Sequence, residues 1–459
     1  MGRRDGDVET KRARTESGDD GVDGDERRGD EARVRGDAVA ARKAYEACVT
    51  RARDGASVSS AVFVKWSLTS RATCLERLDD DDTFADALRD GLEVAMREVT
   101  TVRPDAALEE IGRDKRVRAV GGQLALLLCQ RGEDEDARDL LEFMGFTHRL
   151  GREVLRYATS PVEASAEAST DADDIVRAFD DALDAETLRF LRGAFARHPT
   201  RENECSSFWR AHDYFRPTTG FFSYVHRLGA SPPENAMDVV VERVREIASR
   251  AFPRAKSARF AEWWAHARPH SDGHQLHFDS HDEGVGGVKH PICSAIVYVD
   301  GECGGPTLVT NQKDEKSPKL ASRGWLLYPK TGRVGVFHGD YLHGVVPGRA
   351  VDAVSDDDAL AARHRVTLMI AFWDDMEVHS TWRPAGSARP FPPADAPVEW
   401  RARFEFPSSS GPERFPSRAA SATRAAPSPV RDVWQRVDDD ELIATDDPIP
   451  SYDACFQGF

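Results

Sequence analysis

Between Phe260 and Trp373 the chain offers eight short stretches with strand character, and no other feature constrains the fold as much. They lie at about 260–267, 274–280, 293–300, 306–311, 323–328, 333–338, 343–347 and 364–373. Most are rich in β-branched, aromatic and other apolar residues, and Gly, Pro, Asp or Asn separate them. Gly324-Trp325-Leu326-Leu327-Tyr328-Pro329 and Arg333-Val334-Gly335-Val336-Phe337 flank Lys330-Thr331-Gly332, the pattern of a hairpin.

The second stretch contains His277-Phe278-Asp279. Side chains two apart on a strand point the same way, so an imidazole and a carboxylate stand side by side. A second imidazole, His343, follows after several intervening strands. Two His and one carboxylate on one face of an ion suit a non-haem iron centre with open positions. An H-x-D pair alone also fits a surface His beside a turn Asp. Two rivals exist. His281-Asp282-Glu283 gives a second frame, but it runs into Gly284, a loop signature, whereas Leu276 and Phe278 alternate with His277 as in a half-buried strand. His338 competes with His343, but it ends the preceding strand.

The ordered set His277-x-Asp279, Tyr298-Val299-Asp300, Gly304-Gly305-Pro306-Thr307, His343 and Arg365-x-Thr367 resembles the 2-oxoglutarate- and iron(II)-dependent oxygenases, and within them the prolyl-hydroxylase-like branch. The resemblance spans roughly residues 172–400. It implies an α+β fold: a double-stranded β-helix, or jelly roll, flanked by helices, with the metal at its open end. It implies Fe(II) held by His277, Asp279 and His343. It implies 2-oxoglutarate held by Arg365, with hydroxyls of Thr367 and Tyr298 assisting. O2 is the second cosubstrate, and ascorbate is a further cofactor the resemblance allows. The implied reaction hydroxylates a C–H bond of a protein side chain or small molecule, with release of succinate and CO2. No acid–base pair is called for, because the cofactor carries the chemistry. Residues 351–362 (VDAVSDDDALAA) lengthen the interval from His343 to Arg365 and read as a loop insertion. Arg349 and Arg363 compete with Arg365 but lie outside the apolar run. Two other classes of function stand beside the enzyme: a metal-binding jelly roll that does not use 2-oxoglutarate, and a non-catalytic interaction module.

The rest of the chain reads as support. Residues 1–36 are Asp, Glu, Arg and Gly with few large apolar side chains, the composition of a disordered charged tail. Arg3-Arg4 and Lys11-Arg12-Ala13-Arg14 fit a nuclear-import signal or a solvated tail. Residues 37–160 show apolar residues at helical spacing over 38–53, 82–99, 104–130 and 134–148, and form a helical accessory region. Residues 160–172 read as a linker, so 172–408 is expected to be self-sufficient. Helices are expected at 185–195 and 235–251. Residues 409–459 read as a Ser/Pro/Arg-rich linker and acidic tail.

Composition narrows the partners. A net charge of −17 disfavours nucleic acid, since phosphate contacts need clustered Lys and Arg. The 7 Cys include no C-x-x-C, which suggests thiols in a reducing compartment. No apolar run reaches the length of a membrane span and none resembles a secretory signal near Met1. The expected location is intracellular, cytoplasmic or nuclear. The substrate, a protein or a small molecule, is not legible.

Overall fold

The computed structural model describes residues 20–78, 82–159, 175–196, 206–214, 221–229, 232–281, 288–315, 319–349, 364–376, 378, 386–392, 398–406, 422–438 and 449–459. The N-terminal basic clusters, the 160–172 linker, the 351–362 insertion, Cys205, Glu283 and Arg363 lie outside the described residues. The chain divides into two compact units, one ending at Gly145 and one beginning at Phe146.

The first unit is helical: α1 (Asp20–Val34), α2 (Ala38–Arg53), α3 (Ser60–Leu78), α4 (Asp82–Val102), α5 (Leu108–Gly112), α6 (Lys115–Arg131) and α7 (Asp134–Phe143). The charged composition of 1–36 predicts disorder, yet 20–34 is a helix. The difference lies in what α2 and α3 offer it. Gly29 lets the buried ring of Tyr45 lie against α1, and the Tyr45 hydroxyl donates to Asp30 at 2.7 Å. Lys65 donates to Glu26 and to Asp30, each at 2.9 Å. α1 therefore borrows an aromatic and a cation from elsewhere in the chain, which composition counted locally does not register. The single helix expected over 104–130 is two helices. Asp114 breaks it by capping α6, accepting from the backbone N–H of Arg116. α3 carries β-branched Val62, Val64, Thr69 and Thr73, which weaken its helical signature.

The second unit is built on antiparallel sheet. Its strands are β1 (His148–Leu150), β2 (Val176–Asp180), β3 (Phe222–Arg227), β4 (Phe260–Pro269), β5 (His274–His277), β6 (Cys293–Asp300), β7 (Thr307–Lys313), β8 (Arg323–Leu327), β9 (Val334–His338), β10 (Tyr341–Val345), β11 (His364–Trp373), β12 (Gly386–Pro390), β13 (Thr423–Ala425), β14 (Ser428–Arg431), β15 (Trp434–Arg436) and β16 (Cys455–Phe456). Each of the eight stretches anticipated between 260 and 373 is a strand, β4 to β11. An eight-stranded sheet runs β12-β3-β4-β11-β6-β9-β2-β13, and a five-stranded sheet runs β14-β8-β7-β10-β5. β1 lies between β15 and β16 in a third, small sheet.

β11 is central, pairing with β4 along its whole length and with β6 on its other side. A strand buried on both faces reads as a continuous apolar run, and Leu368 to Trp373 does so. Alternation still sorts its side chains. Val366, Leu368, Ile370 and Phe372 join one core with Ala261, Trp263, Ala265, Ala295 and Val297. The same core holds the apolar faces of the helices Ala185–Ala194 and Ala236–Ala251. Asp184 caps the former through Glu186 and Thr187, and Asn235 caps the latter through Asp238. Met369, Ala371 and Trp373 face a second core with Trp264, Ile296 and Tyr298. Arg365 and Thr367 share the odd-numbered face, opposite the helices.

Two expectations about the ends of this unit are corrected. The segment 134–148 is not helical throughout: α7 stops at Phe143, and His148–Leu150 is a strand. Residues 409–459 are not merely linker and tail. β14 pairs with β8, β15 and β16 pair with β1, and Val430, Trp434 and Phe456 are buried. The unit thus draws on residues on both sides of 172–408. These pairings join residues from about one hundred to about three hundred positions apart, so local pattern does not announce them. Among the described residues no helix is long and apolar enough to cross a membrane, and the described cysteines form no disulfide with one another.

The tail's role can be measured. Trp434→Ala empties a buried site on β15 and should destabilise the unit by about 3–5 kcal/mol, read as a lower urea midpoint for the full chain. An unchanged midpoint would mean that the tail packs without contributing to stability.

Candidate metal centre

β5 and β10 are antiparallel neighbours, and their register sets His277 directly opposite His343. The two rings lie 4.5 Å apart between centroids. Asp279, two residues beyond His277, brings its carboxylate to both. Its Oδ1 is 3.6 Å from Nε2 of His277 and 3.7 Å from Nε2 of His343. Ligand atoms of the three residues all lie within 4.8 Å of one another, the only such group of three among the described residues.

The hydrogen bonds fix which atoms are available. Nδ1 of His277 is 2.9 Å from the Gln275 carbonyl, and Nδ1 of His343 is 3.0 Å from the Tyr341 carbonyl. A carbonyl can only accept, so each Nδ1 carries the proton and each neutral ring keeps its lone pair on Nε2. Nε2 of His343 is buried with no hydrogen-bond partner. Burial pushes the His343 imidazole down to about 4, so it is neutral at pH 7. The other carboxylate oxygen of Asp279 accepts from Ser294 Oγ at 2.5 Å, which leaves Oδ1 turned toward the two imidazoles. Burial works against ionisation of Asp279, but His343, His277 and Ser294 together hold it below the usual carboxylate range. Donors about 2.1 Å from an ion and at right angles sit about 3 Å apart. The separations from Asp279 Oδ1 are slightly wider, and the three donor atoms are near enough to one another to share one ion. The donor set fits a divalent transition metal.

His277 and His343 line a cavity with Arg365 and Thr367. Arg365 is 4 % exposed. Its Nη1 donates to the Gly305 carbonyl at 2.5 Å, and no carboxylate among the described residues pairs with it. A buried cation without an anion is costly. Gly304-Gly305 explains how that carbonyl comes so near. Gly304 has a φ of +86°, and a Cβ on Gly305 would lie 1.8 Å from the Val346 carbonyl. The Thr367 hydroxyl makes no hydrogen bond among the described residues. Tyr298 differs from expectation. Its hydroxyl is engaged with Thr307 Oγ1 at 2.9 Å and the Leu327 carbonyl at 3.1 Å, and it does not line the cavity. Thr307 stands between it and the cavity, so Tyr298 supports the wall rather than reaching a ligand.

The rival residues are placed elsewhere. His338 bonds Asp340 at 2.9 Å, and His281 sits at an isolated bridge to Lys289 beside Trp373. Arg349 donates to the Tyr157 carbonyl at 2.7 Å. Sequence reading missed Ser294, whose only signal is a hydroxyl inside the apolar strand Cys293–Asp300. It also missed Arg268, which lines the cavity with His266 and His274.

No family model matches the chain, and no curated protein matches it. Among solved structures it is similar to a prolyl-4-hydroxylase of Pseudomonas putida, at 14 % identity and a TM-score of 0.28, over 45 % of this chain and 92 % of that one. It is similar to the collagen prolyl hydroxylase of Paramecium Bursaria Chlorella virus-1 in its 2-oxoglutarate complex, at 11 % identity and a TM-score of 0.26, over 45 % of this chain and 100 % of that one. It is also similar to HygX of Streptomyces hygroscopicus with iron bound, at 13 % identity and a TM-score of 0.23, over 51 % and 98 %. These scores are low.

Ser294→Ala removes a hydrogen bond to a buried carboxylate and should cost about 1.5–3 kcal/mol of stability. Urea unfolding of the metal-free protein checks this; a variant as stable as the parent would show that Asp279 needs no such donor.

Proposed function

We propose that the chain is a 2-oxoglutarate- and Fe(II)-dependent oxygenase. The observation that carries this reading is the clustering of two imidazoles and a carboxylate, with ligand atoms within 4.8 Å of one another, beside a buried guanidinium that no carboxylate among the described residues pairs with. His277, Asp279 and His343 would hold the iron, leaving positions open. Arg365 would take the distal carboxylate of 2-oxoglutarate, with Thr367 donating a hydroxyl hydrogen bond. The strand order β4-β11-β6-β9 in one sheet and β8-β7-β10-β5 in the other supports a double-stranded β-helix as the scaffold.

Iron held there would supply, with 2-oxoglutarate and O2 as cosubstrates, the oxidising chemistry for hydroxylating a substrate C–H bond with release of succinate and CO2, and ascorbate would serve as an accessory reductant. The chain's own residues bind and orient. The Gln275 and Tyr341 carbonyls fix the two imidazole tautomers, and Ser294 fixes the carboxylate. Arg365 and Thr367, two apart on one strand, set the angle at which the cosubstrate enters. Trp264, Ile296 and Met369 give the cavity an apolar wall that excludes water. The substrate is a protein side chain or a small molecule.

Metal and cosubstrate binding test this reading separately. His277→Ala, Asp279→Ala and His343→Ala should each abolish tight Mn(II) binding in equilibrium dialysis, while His281→Ala and His338→Ala keep it. Full affinity in His343→Ala would overturn the ligand set. Arg365→Ala should retain Mn(II) but weaken 2-oxoglutarate binding by about 2–5 kcal/mol, the loss expected for one partner of a buried charge pair. Unchanged 2-oxoglutarate affinity in that variant would favour a metal protein that does not use the keto acid.

A further inference from the structure

Arg365 has a second arginine directly across the sheet. In the β11–β4 ladder Arg365 pairs with Arg268, and Thr367 with His266. Residues directly opposite on an antiparallel pair present their side chains to the same face, and both arginines line the cavity. Like charges in that position repel. Neither arginine is neutralised by a carboxylate among the described residues; Arg268 donates to the Gly273 carbonyl at 3.0 Å, as Arg365 does to Gly305. The other titratable residues lining the cavity are histidines. His266 and His274 lie 5.8 Å apart, and His274 lies 4.7 Å from His277, all bordering the same space.

The charge count extends the proposed function and rests on it. Within the site two guanidiniums stand against the carboxylate of Asp279. A divalent ion and the dianion 2-oxoglutarate cancel each other. One positive charge is left over, and burial divides the two arginines. Arg365 is buried, whereas Arg268 is only partly so and keeps a path to solvent. The inner cation is thus placed for the cosubstrate, and the outer one for whatever enters afterwards.

The geometry points to Arg268 as the substrate-recognition residue, binding an anionic group, a carboxylate or a phosphate, carried close to the carbon that is oxidised. His266 and His274 would border that group and Trp264 the apolar part of the substrate. The residual charge makes a neutral or cationic substrate the poorer fit to this cavity.

The test uses the full chain loaded with Mn(II) and saturating 2-oxoglutarate, titrated calorimetrically with inorganic phosphate and, in a parallel arm, with acetate. The expected result is one further anion site in at least one arm, weakened tenfold or more in Arg268→Gln and largely restored in Arg268→Lys. 2-Oxoglutarate affinity in Arg268→Gln should change less than threefold. Anion binding that Arg268→Gln leaves unchanged, or no anion site in either arm, would overturn the inference. So would a loss of 2-oxoglutarate affinity in Arg268→Gln as large as in Arg365→Ala, which would mean that both arginines clamp one cosubstrate carboxylate. Failure of the parent protein to take up 2-oxoglutarate with Mn(II) would instead count against the proposed function, a different result in a different titration.

Discussion

The centre of this protein depends on one register, that of β5 against β10. With His277 opposite His343, both Nε2 atoms reach the same carboxylate oxygen. A slip of one residue would turn one imidazole to the other face of the sheet and dissolve the site. β5 is also an edge strand, with a strand neighbour on one side only among the described residues. Its exposed side is held by residues from the far end of the chain. Gln457 Oε1 accepts from the Leu276 N–H at 2.7 Å, and the Tyr452 hydroxyl donates to the Leu276 carbonyl at 3.5 Å. Gly273, just before β5, leaves room for the ring of Phe459. The C-terminal residues thus act on the site by steadying the strand that carries His277.

The eight-stranded sheet divides its work by face. On β4, β6 and β11 the side chains facing the helices are almost wholly apolar, and that core is where burial stabilises the unit. The opposite face carries the polar residues: Arg365, Thr367, His266 and Arg268. Such groups oppose stability when left unsatisfied. A sheet can hold them only if the other face supplies the packing, and aromatic residues such as Trp263, Phe208 and Phe404 do so.

Legibility in the sequence followed the range of the interactions. β4 to β11 could be read because each strand carries its own pattern of apolar residues and turn punctuation. The spacing in His277-x-Asp279 and Arg365-x-Thr367 could be read because strand periodicity alone puts such residues on one face. What could not be read was cross-chain pairing. Nothing in Ser428–Arg431 announces β8 as its partner, and nothing in α1 announces Tyr45 and Lys65. Ser294 looks like one polar residue in an apolar strand until the fold sets it against Asp279. Tyr298 shows the converse: its hydroxyl pointed to a ligand role, and packing turned it to Thr307 and a carbonyl instead. Arg268 gained meaning only when the ladder put it opposite Arg365.

The most direct measurement is turnover of 2-oxoglutarate itself. The 459-residue chain reconstituted with Fe(II) in air should release succinate and CO2 in equal amounts from 2-oxoglutarate, slowly without substrate, and should lose this when iron is withheld or His343 is replaced by Ala. Protein that binds both Fe(II) and 2-oxoglutarate yet forms no succinate, alone or with anionic fractions of a cell extract, would contradict the account.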